Sequence, residues 1–150
     1  MYLKGVEYAD TPTMKYVTNS NFTNNTASHD GGGIYSMDDS ITVTLSEFTS
    51  NSAVGNIDDN KGNAGAIGFL CDTLTTCTGT ISNNIFNSNH AERNGGGIYW
   101  NWDEPVMSNN TYTDCTAVYG ADIASFALKL SRQTDDSTSR RLTLETVPSG

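Results

Sequence analysis

The chain has 150 residues, of which 36% are hydrophobic and 17% charged, and its formal net charge is −9. Thr, Asn and Ser number 20, 16 and 15, and since these residues compete with the helical backbone for hydrogen bonds, the composition disfavours helices. No apolar run approaches the roughly 18 residues of a membrane-spanning helix. The acidic balance repels phosphate groups, so a nucleic-acid partner is not expected. The composition predicts a polar, acidic, β-rich chain.

The sequence repeats one frame four times. Each copy reads aromatic-x-x-Asn-x-Ala, except that the fourth has Cys115 at the Asn position. The copies are Phe22/Asn25/Ala27, Phe48/Asn51/Ala53, Phe86/Asn89/Ala91 and Tyr112/Cys115/Ala117. Each is followed by a step that contains glycine, three glycines in two of the copies and one in the other two, and that ends in isoleucine, at Ile34, Ile67, Ile98 and Ile123.

The spacing separates a constant unit from its insertions. The aromatic precedes Ala by five residues, and the basic unit is 26 residues long, with extra residues near 55–62 in one copy and 71–77 in another. Short runs such as 41–45 alternate with period two, as strands do. The unit is too short for a propeller blade. We therefore predict an all-β, right-handed, single-stranded parallel β-helix of about four rungs.

In such a fold, equal positions of successive units lie above one another. The predicted columns are an aromatic stack (Phe22, Phe48, Phe86, Tyr112), an Asn ladder (Asn25, Asn51, Asn89) and an aliphatic stack (Ile34, Ile67, Ile98, Ile123). Such columns explain how a chain with few hydrophobic residues can form a core.

The motifs aromatic-x-x-Asn and Gly-Gly-x-Ile resemble the repeats of chlamydial polymorphic membrane proteins and of related large surface proteins of bacteria and protists. Phe-x-x-Asn occurs three times and Gly-Gly-x-Ile twice, at 31–34 and 95–98. The resemblance covers about residues 14–126. It implies a pectin-lyase-like β-helix on a cell surface, serving adhesion or structure.

The predicted β-helix spans 1–126, with units near 14–36, 40–69, 78–100 and 104–125. Projected backwards, the frame places Tyr8 at the isoleucine position, so the chain is expected to begin inside a rung. Two alternating segments at 126–130 and 142–147 predict a C-terminal strand pair or linker over 127–150, serving as a cap, a hairpin or a strand donated to a neighbouring subunit. The N-terminus carries no signal-peptide pattern. That observation carries no weight if the chain is an excised piece of a longer protein or if another subunit covers its end.

One pair of cysteines favours an oxidising compartment, and three sequons offer positions for glycans. Cys71 and Cys77 flank a short insertion and are expected to form a disulfide, whereas Cys115 is expected to be a buried, unreactive thiol. Sequons occur at Asn21, Asn24 and Asn109, and Asn21 or Asn24 is expected to carry a glycan on a eukaryotic secretory route.

Three carboxylates, Asp39, Asp72 and Asp103, share one position after the isoleucine and are predicted to stack in a column. The simplest interpretation is turn-capping Asp on a solvated edge; a calcium site is the alternative. Tyr35, Tyr99, Trp100 and Trp102 follow the isoleucine column and are expected to form a sugar-stacking strip, part of the core, or a contact between subunits.

The leading hypothesis is a non-catalytic, extracellular structural or adhesive module, glycosylated and either stacked end to end with other copies in a surface fibre or embedded in a larger surface protein. The alternative is a carbohydrate-active lyase or hydrolase, or a carbohydrate-binding module; it predicts a groove of carboxylates and aromatics. A third is a calcium-stabilised binding module. No catalytic set and no cofactor is predicted beyond the calcium alternative.

Overall fold

A computed structural model describes residues 1–4, 14–55, 61–72, 76–126, 129–132 and 142–145. Every regular element in these ranges is a β-strand. None of the described residues forms a helix that could cross a membrane.

The strands form four parallel sheets that run along the molecule. Sheet A contains β1 (Tyr2–Lys4), β5 (Ile34–Met37), β9 (Ile67–Leu70), β13 (Ile98–Trp100) and β16 (Ile123–Ser125). Sheet B contains β2 (Met14–Thr18), β6 (Ser40–Thr44), β10 (Gly79–Ser82) and β14 (Val106–Ser108). Sheet C contains β3 (Asn21–Thr23), β7 (Glu47–Thr49), β11 (Ile85–Asn87) and β15 (Thr111–Thr113). Sheet D contains β4 (Thr26–Ala27), β8 (Ser52–Ala53) and β12 (His90–Ala91).

The chain visits sheets B, C, D and A in turn, and each circuit is one rung. Rungs 1, 2 and 3 are β2–β5, β6–β9 and β10–β13; rung 4 is β14–β16, with Thr116 bridging to His90 where a sheet D strand would lie. Equivalent residues pair directly, for example Phe22 with Phe48. This in-register parallel pairing confirms the predicted β-helix of about four rungs.

The core is a set of stacked columns inside the rungs. The four aromatic rings stack nearly parallel, with centroids 4.8, 5.1 and 5.0 Å apart along the series Phe22, Phe48, Phe86 and Tyr112. Ile34, Ile67 and Ile98 are fully buried beside them. Each buried aromatic or aliphatic side chain contributes about 1.5–3 kcal/mol, so a narrow column suffices where the composition is poor in apolar residues.

Three corners of the rung turn through left-handed residues in every copy. The columns with positive φ are Asn19, Leu45, Asn83 and Asn109; Asn24, Ser50, Ser88 and Asp114; and Gly31, Ala64, Gly95 and Gly120. Asn, Asp and Gly tolerate this conformation best, which explains why the repeat is rich in them. Leu45 and Ala64 adopt it at a steric cost.

The first sheet A strand corrects the sequence-based frame. Tyr2 pairs with Tyr35, and the Tyr35 N–H donates to the Met1 carbonyl at 2.8 Å, so Met1 holds the isoleucine position assigned above to Tyr8. The frame was projected at constant unit length, whereas nine residues, 5–13, separate β1 from β2. Tyr8 itself lies outside the described residues.

At the other end, β17 (Lys129–Arg132) and β18 (Leu142–Glu145) pair antiparallel, with Lys129 opposite Glu145. They form a sheet separate from A–D. Whether they form a unit distinct from the β-helix stays a prediction. The proposed insertion near 55–62 falls partly outside the described residues.

Candidate functional site

Buried amides join the rungs at the corner between sheets C and D. The Nδ2 of Asn25 donates to the Oδ1 of Asn51 at 2.8 Å, and the Nδ2 of Asn51 donates to the Oδ1 of Asn89 at 3.0 Å. Asn51 Nδ2 also donates to the Phe22 carbonyl at 2.9 Å. Asn51 and Asn89 are fully buried. The side chains of Asn51 and Asn89 therefore bond to the rung before and the rung after, and along the ladder each amide donates to the side chain of the next rung.

The ladder ends on a thiol. Asn89 Nδ2 lies 3.9 Å from the Sγ of Cys115, and this Sγ lies 3.8 Å from the Phe86 carbonyl. Burial raises the pKa of the Cys115 thiol, so the thiol stays protonated near neutral pH and is a poor nucleophile. Cys115 closes the ladder and carries no sign of catalytic activation.

A second ladder runs along the corner between sheets B and C, two residues before each aromatic. The N–H groups of Ser46 and Asn84 donate to the Oδ1 atoms of Asn84 and Asn110 at 2.9 and 3.0 Å, and the Ser20 N–H donates to the Ser46 Oγ at 3.1 Å. Sequence reasoning missed this ladder because two of its members are Ser and two are Asn. The signal was their constant position in the frame.

A third ladder precedes the glycine corner between sheets D and A. The Oδ1 of buried Asp30 accepts both the N–H and the Nδ2 of Asn63, at 2.8 and 3.0 Å, and Asn94 Nδ2 donates to the Asn63 Oδ1 at 2.7 Å. Sequence reasoning missed it as well, since the insertion in rung 2 hides the alignment of the three residues. The buried carboxylate of Asp30 is thus held by structural hydrogen bonds.

The corner between sheets A and B carries the cross-link. Cys71 and Cys77 form a disulfide, and both are buried. The next rung supports them: Asn101 Oδ1 accepts the Cys71 N–H at 2.7 Å, and Asp103 Oδ2 accepts the Cys77 N–H at 2.9 Å. Within the described residues, the only group of three side chains with ligand atoms within 4.8 Å of one another is Cys71, Cys77 and Asp103. Oxidised sulfurs are not thiolate ligands, so this corner is structural.

The three carboxylates expected to share a column do not form a cation site. Asp39 is fully buried, with its Oδ2 4.0 Å from the Nζ of Lys15, whereas Asp72 is exposed and Asp103 is half-buried at the disulfide corner. Asp39 therefore departs from the expected solvated edge. Rung 2 turns this corner in two residues, which draws Asp39 inward, while longer loops carry the other two.

The expected aromatic strip is mostly buried. Tyr99 and Trp100 are 7% and 8% exposed, Tyr35 is half-buried against Tyr2, and Trp102 is 37% exposed and tilted against Phe126. Trp100 packs into the core, whereas Tyr99, its neighbour in β13, faces the opposite side of sheet A and is buried there. The four side chains therefore do not share one exposed face.

The sequon asparagines lie at the surface. Asn21 lies in β3, Asn24 and Asn109 occupy left-handed corners, and all three are exposed. Asn109 Nδ2 donates to the Asn83 Oδ1 at 3.3 Å. Glycosylation at these positions stays a prediction.

A groove opens at the N-terminal end of the β-helix, with a volume of about 680 Å³. Its walls are the residues of rung 1 from Asn25 to Gly32, together with Met1, Tyr2, Tyr35 and Lys61. It lies along the edge strand β4, next to β1. Sequence reasoning did not find it, because the position of β1 was assigned wrongly.

Stacked rungs, amide ladders and a structural disulfide define this chain as a parallel β-helix repeat module. Two of its segments, residues 19–37 and 85–99, match the repeat of the Chlamydia polymorphic membrane protein family, which confirms the resemblance drawn from the motifs. The first match contains β3, β4 and β5 of rung 1, and the second contains β11, β12 and most of β13 of rung 3. No significant match was found among curated proteins or among solved structures.

Proposed function

We propose that the chain is a structural or adhesive module of a surface protein, exposed outside the cell as one segment of a longer array of rungs. The observation that carries the proposal is the repeated, in-register rung, two copies of which match the repeat of a family of bacterial surface membrane proteins. A stack of rungs is a rigid spacer, because every rung is bonded to its neighbours.

The chemistry of the described residues supports a structural role. The buried polar side chains at the rung corners bond to adjacent rungs, and the Cys71–Cys77 disulfide suits an oxidising exterior. Exposed sequons at Asn21, Asn24 and Asn109 are compatible with a glycosylated surface. The carbohydrate-active alternative has less support, because Asp39 is buried and Trp100 packs in the core.

Protease shaving of intact source cells tests the proposal. Peptides from this chain should be released by a protease that does not enter cells, and their release should precede that of a cytosolic marker protein. Mass spectrometry of the same peptides reports whether any of the three sequons carries a glycan. Release only after lysis would overturn the surface assignment.

An adhesion assay separates the two versions of the role. Beads coated with the folded chain should bind cells or matrix if the module is adhesive, with chain unfolded by reduction and heat as the control. Binding equal to that of the unfolded control would leave the structural role and remove the adhesive one.

A further inference from the structure

One dipeptide at the corner between sheets D and A is chemically labile. Asn94-Gly95 is the one Asn-Gly sequence in the chain, and Asn94 is a member of the third ladder, with Asp30 and Asn63. In an open chain, the backbone nitrogen of the residue after an Asn can attack the side-chain carbonyl carbon, Cγ. Glycine permits this attack best, because it has no side chain to obstruct the close approach. The corner therefore combines a structural amide with a sequence that favours its loss.

The folded rungs hold both reacting groups. The Gly95 N–H donates to the Tyr119 carbonyl of rung 4 at 3.0 Å, and the Tyr119 N–H donates to the Arg93 carbonyl at 2.9 Å. On the other side, the Asn94 Nδ2 donates to the Asn63 Oδ1 of rung 2 at 2.7 Å. The nitrogen is thus directed toward rung 4 and the amide toward rung 2, so the two groups do not react while both bonds are formed.

We propose that Asn94 is a self-modification site that reacts when rung 4 separates from rung 3. The freed Gly95 nitrogen gives up its proton to solvent and attacks the Asn94 Cγ, and ammonia leaves as a five-membered succinimide ring forms. Water then opens the ring at either carbonyl carbon and leaves aspartate or isoaspartate at this position. The reaction consumes one water and releases one ammonia, with no enzyme or cofactor. The inference goes beyond the proposed function and does not depend on it, because it uses only contacts between rungs.

The ladder does not accommodate the product. The Asp30 Oδ1 accepts both the N–H and the Nδ2 of Asn63, at 2.8 and 3.0 Å, so the Asn63 amide presents its oxygen to position 94. An ionised carboxylate there has no proton to donate to that oxygen. Rotating the Asn63 amide would turn its oxygen toward the Asp30 carboxylate instead. Isoaspartate also adds a backbone methylene beside the carbonyl that accepts the Ala64 N–H at 2.8 Å. The modification therefore weakens the corner and opposes its re-closure.

Deamidation rates in water labelled with heavy oxygen test the gating. The label enters when the ring is hydrolysed, so modification during a later tryptic digest in ordinary water is not counted, and fragment ions locate the site. The folded chain should modify Asn94 at least about tenfold more slowly than the chain unfolded in guanidinium chloride. Reaction from the folded state is limited by the population of the open corner, and a tenfold difference corresponds to about 1.4 kcal/mol. Equal rates would overturn the proposal.

Two glycine variants separate local opening from a general loss of stability. Gly96→Ala places a Cβ 2.3 Å from the Ala121 carbonyl oxygen, between rungs 3 and 4. The matched change Gly32→Ala places a Cβ 2.2 Å from the Gly65 carbonyl oxygen, between rungs 1 and 2. At denaturant concentrations that give the two variants equal free energies of unfolding, Gly96→Ala should modify Asn94 faster. Equal rates would show that Asn94 reacts only through global unfolding, which would overturn the role of rung 4.

Variants that carry the product residue test whether the corner resists re-closure. Asn94→Asp should lower the urea midpoint, whereas Asn21→Asp, which adds the same charge at an exposed position, should leave it nearly unchanged. Adding Asp30→Asn should restore part of the loss, because the Asn63 amide can then turn its donor toward position 94. No loss with Asn94→Asp, or an equal loss with and without Asp30→Asn, would overturn the ladder argument. Protease shaving is independent of these outcomes and judges the surface role separately.

Discussion

The corners of each rung follow two different rules. The corners from sheet B to C and from C to D contain two residues in every rung, for example 19–20 and 24–25. The described corners from sheet A to B contain two, eight and five residues, at 38–39, 71–78 and 101–105. The two constant corners each carry an amide ladder.

The corners from sheet D to A and from sheet A to B vary in length although they too are bonded between rungs. The strands of sheets D and A are separated by six, thirteen and six residues in rungs 1 to 3, where Asp30, Asn63 and Asn94 form the third ladder, and the N–H groups of Cys71 and Cys77 donate to the next rung. Insertions are therefore accepted at the two longer corners, where extra residues can loop outward beside the bonded ones.

The largest expected effect comes from a glycine column at the corner from sheet D to sheet A, formed by Gly32, Gly65 and Gly96, where each glycine lies against the backbone of the next rung. Gly65→Ala places a methyl group 2.3 Å from the Gly96 carbonyl, so the free energy of unfolding should fall by about 3 kcal/mol or more. Urea denaturation measures it. The neighbouring change Ala64→Gly is the matched control: it relieves φ of 62° and should be neutral or stabilising. Similar destabilisation by both changes would contradict the rung contact.

The amide ladder gives the next largest effect. Asn51→Ala removes hydrogen bonds to Phe22, Asn25 and Asn89 and leaves buried partners unsatisfied, which should cost about 3 kcal/mol. Asn21→Ala, at an exposed position of β3, should change the unfolding free energy by less than about 0.5 kcal/mol. Equal losses would show that the ladder does not carry the stability.

The disulfide at the corner from sheet A to sheet B should contribute less. Replacing Cys71 and Cys77 together by Ala opens a short loop and should lower the free energy of unfolding by about 2 kcal/mol. Limited proteolysis should then cut near 71–78 while the fragments 14–55 and 79–126 stay protected. Loss of protection throughout the chain would place the disulfide among the elements that hold the rungs together.

Alkaline pH tests the packing around two tyrosines, Tyr35 in sheet A and Tyr112 in the aromatic stack. Burial, with nearby Asp30, raises the pKa of Tyr35 to about 12, and burial raises the pKa of Tyr112. The folded protein holds these protons more tightly than the unfolded chain, so stability is intact below pH 10 and falls as pH rises toward 12. Melting temperatures across this range should show the fall, and Tyr35→Phe should reduce it. A flat profile would contradict the buried setting.

The smallest effect is a gain. Leu45 is 58% exposed and adopts φ of 52° at a corner where the equivalent residues of the other three rungs are all Asn. Leu45→Asn should therefore raise the free energy of unfolding by about 0.5–1 kcal/mol. Leu45→Ala separates the backbone effect from the loss of an exposed side chain and should gain less. A loss with Asn would contradict the conformational argument.

The sequence was informative where one residue type recurs at a fixed spacing. Phe22, Phe48 and Phe86 mark an inward column in any rung of constant length, so the stack follows once the β-helix is accepted. The ladder of Ser46, Asn84 and Asn110 escaped notice because hydrogen bonding at that corner accepts either an amide or a hydroxyl. Residue identity varies there while the chemistry does not.

The candidate site could be predicted less well, for a physical reason. The direction of the Asp39 side chain depends on the length of its corner. The position of Met1 depends on the length of the segment between β1 and β2, which the repeat pattern does not predict. The groove depends on distances between rungs, which the spacing of residues in the sequence does not give. Such contacts are seen only in the three-dimensional structure.

The pairing register has a consequence for folding. Partners in neighbouring rungs are 26 residues apart between rungs 1 and 2 on sheets B, C and D, 38 between rungs 2 and 3, and 26 between rungs 3 and 4. The loop that must close is thus set by one circuit of the chain and does not grow with the number of circuits. Each added rung therefore costs the same loop-closure entropy, however many rungs the array already has. Folding can spread from any formed pair of rungs in either direction.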